Sequence, residues 1–417
     1  MHFTSCKAVG MVAERAQLLS YEKAKWLVLE SARPLGTEVL SLHQLLGRVL
    51  ASPILARCDQ PRFDASAVDG YAFLASDVSE GLKGRTFALV GELQAGSDTC
   101  VPMNRGECVR VFTGAPIPAH TGAVMMQEFV RRNGDSVCCL DGAQVGDHLR
   151  RQGDEFRAGD VAIAPLTLIT PAVVGAIAAC GEAEAEVFCL PKVGLLVTGN
   201  ELGSPGSELK DGQIYESNSF ALRSAILGLG LPEPLVRFCP DDHDSIREVL
   251  DELLESCDVL ISSGGVSVGD YDLVRPVLEE LGVKQVFWGV AIKPGKPLYF
   301  GKKERCAVFG LPGNPVSALT TFALFVRPHL NHLRGMSPVE FPVQRTLSHA
   351  LFKKAGRMEF VPARMDDTCV EPMIHRGSHK TSSLLDVNGF VILDGQTTSV
   401  ELGSIVEVLP LRWGWEA

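Results

Sequence analysis

Three glycine-rich segments carry the residue types that hold an anion against a backbone: Thr198-Gly199-Asn200-Glu201, Ser262-Ser263-Gly264-Gly265-Val266-Ser267-Val268-Gly269-Asp270, and Gly310-Leu311-Pro312-Gly313-Asn314-Pro315. Glycine lets backbone N–H groups approach an oxyanion closely, and a helix opening at Asn314-Pro315 adds partial positive charge. Phosphate or a similar oxyanion is the expected guest. Ordinary tight strand-to-helix turns are the alternative for any one loop, and a weaker one for three on one sheet edge. A fourth run, Ile292-Lys293-Pro294-Gly295-Lys296-Pro297, sets two lysines in a loop stiffened by prolines. Like charges held that way suit an anion, unless the loop is only solvated. Acids gather in Phe63-Asp64-Ala65-Ser66-Ala67-Val68-Asp69-Gly70-Tyr71. This pattern suits a hard cation or a general base, or a turn with exposed acids.

Generic motifs are absent: there is no G-x-x-x-x-G-K-[ST], no G-x-G-x-x-G after a strand and no H-E-x-x-H. His329 and His332 lie three apart on a predicted helix without an acidic or Cys partner nearby, and read as surface residues. The 12 cysteines are scattered, with no C-x-x-C, as expected of small buried residues kept reduced. The net charge of −11 over 417 residues argues against a general nucleic-acid binder. It leaves open the sign inside a single cleft. The N-terminus lacks the apolar core of a secretory signal. The uncharged run 161–180 has the length of a membrane span but is interrupted by Pro165 and Pro171. It reads as a strand followed by a short helix, capped by Thr170 and stopped at Gly181. A protein of the cytoplasm, with neither membrane nor nucleic acid as partner, is expected.

The elements that must position these residues follow from periodicity. An amphipathic helix is predicted within 14–31, and short apolar runs such as TFALVGEL, ECVRVFTG and AVMMQE indicate a mainly β module over 37–156. From 192 to about 335, buried strands (KVGLLVT, DVLISSGG, RCAVFGLPG) alternate with helices (ESNSFALRSAILGLG, IREVLDELLES, YDLVRPVLEELG, PVSALTTFALFVRPHLNHLRG). That alternation implies a parallel sheet with right-handed crossovers. Ser245 and Glu248 look like a capping box, and Pro276 predicts a bend. The tail from about 342 returns to short β runs, a small barrel or sandwich.

Five segments, in order, have no other common home: PRFDASAVDGYA (61–72), VFTGAPIP (111–118), DGQIYESN (211–218), SSGGVSVGDYD (262–272) with AIKPGKP (291–297), and GLPGNPVSAL (310–319). Through them the chain resembles the molybdopterin molybdenumtransferases, the MoeA family that includes the E domain of gephyrin. The resemblance implies a multidomain α/β and β fold. A MogA-like doubly wound α/β domain would span 191–341 and a C-terminal β-barrel 342–417. Residues 1–36 with 157–190 would form an elongated dimerisation module, beside a β-rich module at 37–156. It also implies a homodimer whose cleft is shared between subunits. The implied activity is molybdenum insertion: adenylylated molybdopterin and molybdate are used with Mg2+, the adenylate is hydrolysed, and molybdenum cofactor and AMP leave. A MogA-type adenylyltransferase and molybdoenzyme chaperones are implied partners.

Carried over by position, Asp69, Thr113, Glu201, Asp241 and Asp270 match catalytic positions, the last three also as candidate cation ligands. Arg150, Lys293, Lys296, Gly264, Gly265, Pro312, Gly313, Asn314, Ser317, Arg357 and Ser382 match substrate-binding positions. Three departures stand out. Gly289 occupies a position where many relatives carry lysine, Asp154-Glu155 reverse the commoner order, and Val68 replaces a usual methionine. The alternatives are a molybdopterin adenylyltransferase and a non-catalytic scaffold of the same fold. Retention of the acids, and the absence of a long linker, argue against the scaffold.

Overall fold

The computed structural model describes residues 18–98, 101–266, 272–338, 341–373 and 377–411. Residues 38–187 form one compact unit; the described residues up to Thr37 and those from Phe188 form another.

In the 38–187 unit, a six-stranded sheet runs in the order Thr121–Met126, Gly70–Leu74, Glu107–Val111, Thr86–Leu93, Ser136–Cys139, Val130–Asn133. Its pairs are antiparallel except Thr86–Leu93 with Glu107–Val111. Phe73 and Phe87 meet edge to face in its core, with ring centroids 4.8 Å apart. The uncharged run resolves into strand Val161–Ile163 and helix Pro171–Ala179. Thr170 accepts from the Val173 N–H, Pro171 opens the first turn, and Gly181 leaves with φ +87°. No described helix is long and apolar enough to cross a membrane.

The other unit is built on a six-stranded sheet ordered Leu235–Cys239, Val193–Thr198, Val259–Ser263, Cys306–Leu311, Tyr299–Lys303, Lys284–Trp288. Its side chains alternate between two cores. Val193, Leu195, Ile261 and Phe309 pack with helix Asn218–Gly228 and the 315–333 helix, while Leu196, Leu260 and Val308 pack with helices His243–Ser256 and Val274–Glu280. Helices therefore cover both faces, as the doubly wound expectation requires. The sheet is mixed rather than wholly parallel, because the chain turns back at Glu304-Arg305 and Tyr299–Lys303 runs antiparallel to both its neighbours, Cys306–Leu311 and Lys284–Trp288.

Local corrections have physical causes. Helix His243–Ser256 starts before the supposed capping box: the Asp242 carboxylate accepts from the Ser245 N–H at 2.9 Å, so Ser245 lies inside the first turn. Pro276 also falls in a first turn, where its missing N–H costs nothing and no bend is needed. Between Pro315–Thr321 and Arg327–Leu333 the helix widens into a π turn, Phe322–Val326. That turn precedes Pro328, whose ring would clash with the carbonyl four residues back in a regular helix.

Helix Tyr21–Glu30 buries Ala24 and Val28 in the same core as Phe322 and Phe325, and so falls in this unit. Residues 157–187 fall in the other. The tail is a closed five-stranded barrel, ordered Met358–Met365, Cys369–Pro372, Val343–Leu347, Ile405–Pro410, Gly389–Leu393 and back to the first.

His329 is not a surface residue: it is 1% exposed, with Nδ1 3.2 Å from the Val28 carbonyl oxygen. Burial pushes its imidazole down from 6.5 to about 4. The unfolded chain therefore takes up a proton that the folded chain refuses. Its contribution to stability is complete above pH 6.5 and shrinks as pH falls towards 4. Denaturant titrations should show His329→Gln losing less stability than the unaltered protein over that interval. The expected difference is on the order of 3 kcal/mol.

Candidate functional site

The chain runs from strand Val193–Thr198 to its neighbour on one side, Leu235–Cys239, and then to its neighbour on the other, Val259–Ser263. Loops leaving the carboxyl ends of these strands must part, and a crevice opens there. It forms a cavity of about 690 Å³ lined by all three glycine-rich loops, including Thr198, Gly199, Glu201, Gly264, Gly265, Pro312, Gly313 and Asn314. Asp241, Asp272 and the Tyr215–Asn218 segment also line the wall.

Side chains lock this rim. Asp241 accepts from the Thr198 hydroxyl and, at 3.2 Å, from the Asn200 N–H, while its own N–H donates to Asn200 Oδ1 at 3.3 Å. Glu216, 5% exposed, accepts from the N–H and hydroxyl of Ser219 at 2.8 and 2.6 Å. Asn218 Nδ2 donates to Ser263 Oγ at 2.9 Å and to the Gly313 carbonyl at 2.7 Å, tying the second loop to the third. Gly265 has φ +69°, and a β-carbon there would collide with Val274.

A second cavity of about 500 Å³ shares Pro297, Asn314 and His379 with the first. It gathers Lys293, Lys296, Ser317 and Arg357 from separate parts of the chain. Gly295, at φ +102°, packs so closely on Thr321 that no side chain fits. Lys293 donates to Glu359 at 3.0 Å, and Arg357 Nη1 to the Ile292 carbonyl at 3.4 Å. At this end Ser378 and Ser383 line the wall; Ser382 is not among the lining residues. Gly289 has φ +86°, and a β-carbon there would approach Leu18 Cδ2 to 2.8 Å, so packing as well as charge distinguishes this position.

Glu201 and Asp241 thus share one wall, and Asp270 lies outside the described residues. Among the described residues no three His, Cys, Asp or Glu side chains form a ready metal cluster. Two carboxylates nevertheless fit Mg2+, which is commonly held by one or two carboxylates with substrate phosphate and water. Sequence reasoning missed His379, Asp272 and Glu359. His379 and Glu359 lie outside the five motifs, and Asp272 stood inside one without a role.

Asp69, Thr113 and Arg150 belong to the 38–187 unit. Asp69 Oδ1 accepts from both the N–H and the hydroxyl of Thr113 at 2.8 Å. The N–H first, then the hydroxyl, hold its carboxyl below the usual range. Asp64 accepts from Arg151 Nη1 at 2.6 Å and from the Gln152 N–H at 2.9 Å, so it serves the loop's shape. Arg150 lines a cavity of about 700 Å³ with Arg62, Phe63, Gly114, Asp154 and Glu155. Arg151 N–H donates to Asp154, which gives this acid a local turn role, whereas no such bond to Glu155's side chain is seen among the described residues.

Three family models match the chain. One is described as the MoeA N-terminal region (domain I and II), over residues 19–181; one as a probable molybdopterin binding domain, over 194–332; one as the MoeA C-terminal region (domain IV), over 344–411. The molybdopterin molybdenumtransferase of Haemophilus influenzae is 34% identical over 406 residues, covering 95% of this chain and 99% of the relative. Molybdopterin molybdenumtransferase 2 of Mycobacterium tuberculosis is 32% identical over 404 residues, covering 94% and 99%. The crystal structure of the molybdopterin biosynthesis MoeA protein from Pyrococcus horikoshii superposes with a TM-score of 0.81 at 30% identity, covering 94% of this chain and 100% of that one.

Replacing Thr113 by Val removes one of the two donors that depress Asp69. Carbon-detected NMR should then find the Asp69 carboxyl titrating at higher pH than in the unaltered protein. The accompanying loss of stability should be present at neutral pH and vanish as pH falls through the depressed Asp69 pKa.

Proposed function

This chain belongs to the MoeA family of molybdopterin molybdenumtransferases, and on that premise we propose that it is the molybdenum insertase of molybdenum cofactor biosynthesis. Its substrates are adenylylated molybdopterin and molybdate. Water attacks the phosphoanhydride, the bond to AMP breaks, and the two dithiolene thiols hand their protons to an oxo group of molybdate, which leaves as water. The products are molybdenum cofactor and AMP.

One observation carries this proposal: two adjoining cavities of opposite character share the Pro297–Asn314–His379 wall. The first offers glycine-loop N–H groups and a helix start to a phosphate, with Glu201 and Asp241 beside them. The second offers Lys293, Lys296, Arg357 and the Ser317 hydroxyl to a pterin and an oxyanion. Glu201 and Asp241, together with Asp270 from the sequence, would hold Mg2+. Bound there, it offsets repulsion between carboxylates and phosphate and polarises the phosphoryl bond.

The working form is a homodimer of four-module subunits, in which Asp69, Thr113 and Arg150 of one subunit complete the cleft of the other. Arg150 grips a phosphate by its two parallel N–H groups. A MogA-type adenylyltransferase supplies the substrate and molybdoenzyme chaperones receive the product. The compartment is the cytoplasm, in keeping with cysteines that are scattered along the chain without a C-x-x-C pair.

Purified protein given adenylylated molybdopterin should release AMP only when molybdate and a divalent cation are both present. Glu201→Gln, Asp241→Asn and Asp270→Ala should each slow this by about 10²-fold or more while leaving the dimer intact on gel filtration. An Asp270→Ala enzyme of full activity removes Asp270 from the site. Synthesis of the adenylate from ATP and molybdopterin would instead identify an adenylyltransferase.

A further inference from the structure

A carboxylate sits among the basic residues of the second cavity. Glu359 has a side chain only 6% exposed, and it faces Lys293, whose side chain is 54% exposed. The pair is held by backbone rather than by chance rotamers. Ile292–Lys293 adds to the barrel strand in parallel register, placing Lys293 opposite Glu359, and the Met358 N–H donates to the Ala291 carbonyl at 3.0 Å. Glu359 lines the second cavity and also an adjoining one of about 490 Å³, whose wall includes Lys353 and Lys354. Lys293 and Arg357 line both as well.

A charged group fixed in a cleft is attracted or repelled by every ion that enters. A buried carboxylate offers a neighbouring ammonium the same kind of oxygen acceptor that an oxyanion offers. We infer that Glu359 is a resident competitor for the oxyanion, occupying Lys293 and lowering the positive potential of the cavity so that molybdate is held loosely and passed on. The inference rests on the insertase proposal, in which Lys293 and its neighbours receive molybdate. It makes Glu359 a positioning residue acting through Lys293, not a catalytic one. It also accounts for an acid within a basic wall: without it, Lys293, Lys296 and Arg357 would bind abundant sulfate or phosphate more strongly and release them more slowly.

Molybdate binding to the intact protein, measured by equilibrium dialysis without pterin at low and high salt, tests this directly. Glu359→Gln keeps the shape and an acceptor oxygen but removes the charge. It should bind molybdate about tenfold more tightly at low salt, with the gain shrinking as salt screens it. Glu359→Asp keeps the charge and should stay within about twofold of the unaltered protein, whereas Lys293→Met should bind more weakly. Thermal melting accompanies each measurement, and Glu359→Met serves as the neutral variant should Gln lower the melting point. Unchanged or weaker binding by the folded neutral variant overturns the inference and leaves the oxyanion site standing. Equal tightening by Glu359→Asp overturns it too, since charge would then not be the cause. If neither the unaltered protein nor any variant binds molybdate, the insertase placement of the oxyanion fails instead.

Discussion

A sheet buried on both faces leaves polar chemistry only its ends. Residues of Val193–Thr198, Val259–Ser263 and Cys306–Leu311 alternate between two apolar cores, so no charged side chain can project from their middle without being stranded. Everything that could touch a substrate in this module is therefore displaced to the loops after the strands. The order in which the chain visits those strands makes the loops diverge and leaves a crevice between them. The rim is then fixed by a few hydrogen bonds that each join two loops, through Asp241 on one side and Asn218 on the other. Divergent loops without such ties would spread their acids and N–H groups too widely to act on one phosphate.

Charge is sorted within this frame. Acids stand in the first cavity, which the proposed function gives to a nucleotide phosphate and a cation; ammonium and guanidinium groups stand in the second, which it gives to an oxyanion. The overall charge of −11 conceals that separation completely. Among the described residues lining the second cavity, Glu359 is the acid. A cleft built only of cations would have affinity without discrimination or release, and a carboxylate paired with Lys293 tempers its potential.

Much of the fold was legible because it rests on local signals. The strand KVGLLVT, the Thr170-Pro171 helix start and the Asn314-Pro315 start appear where composition placed them. Errors arose where two local signals competed or where the deciding partner was remote. Asp242 outcompeted Ser245 as a cap although both carry suitable oxygens. His329 looked like a surface residue because its partner, the Val28 carbonyl, lies far away in sequence. The strands Lys284–Trp288 and Tyr299–Lys303 are hard to read from sequence because their antiparallel pairing breaks the strand–helix rhythm on either side.

By itself the sequence determined the kinds of chemistry available. Its glycine-rich loops, its spaced lysines and its acids at strand ends follow from residue type and spacing, and they need no partner to be recognised. Tertiary structure alone decided which of these groups meet. It joined Asn218 to Gly313, set Lys293 against Glu359 through a strand pairing between module and barrel, and made two cavities share one wall. The reason is that charge and hydrogen bonding act through space over a few ångströms. Residues tens of positions apart become one site only when the apolar cores have closed around the strands that carry them.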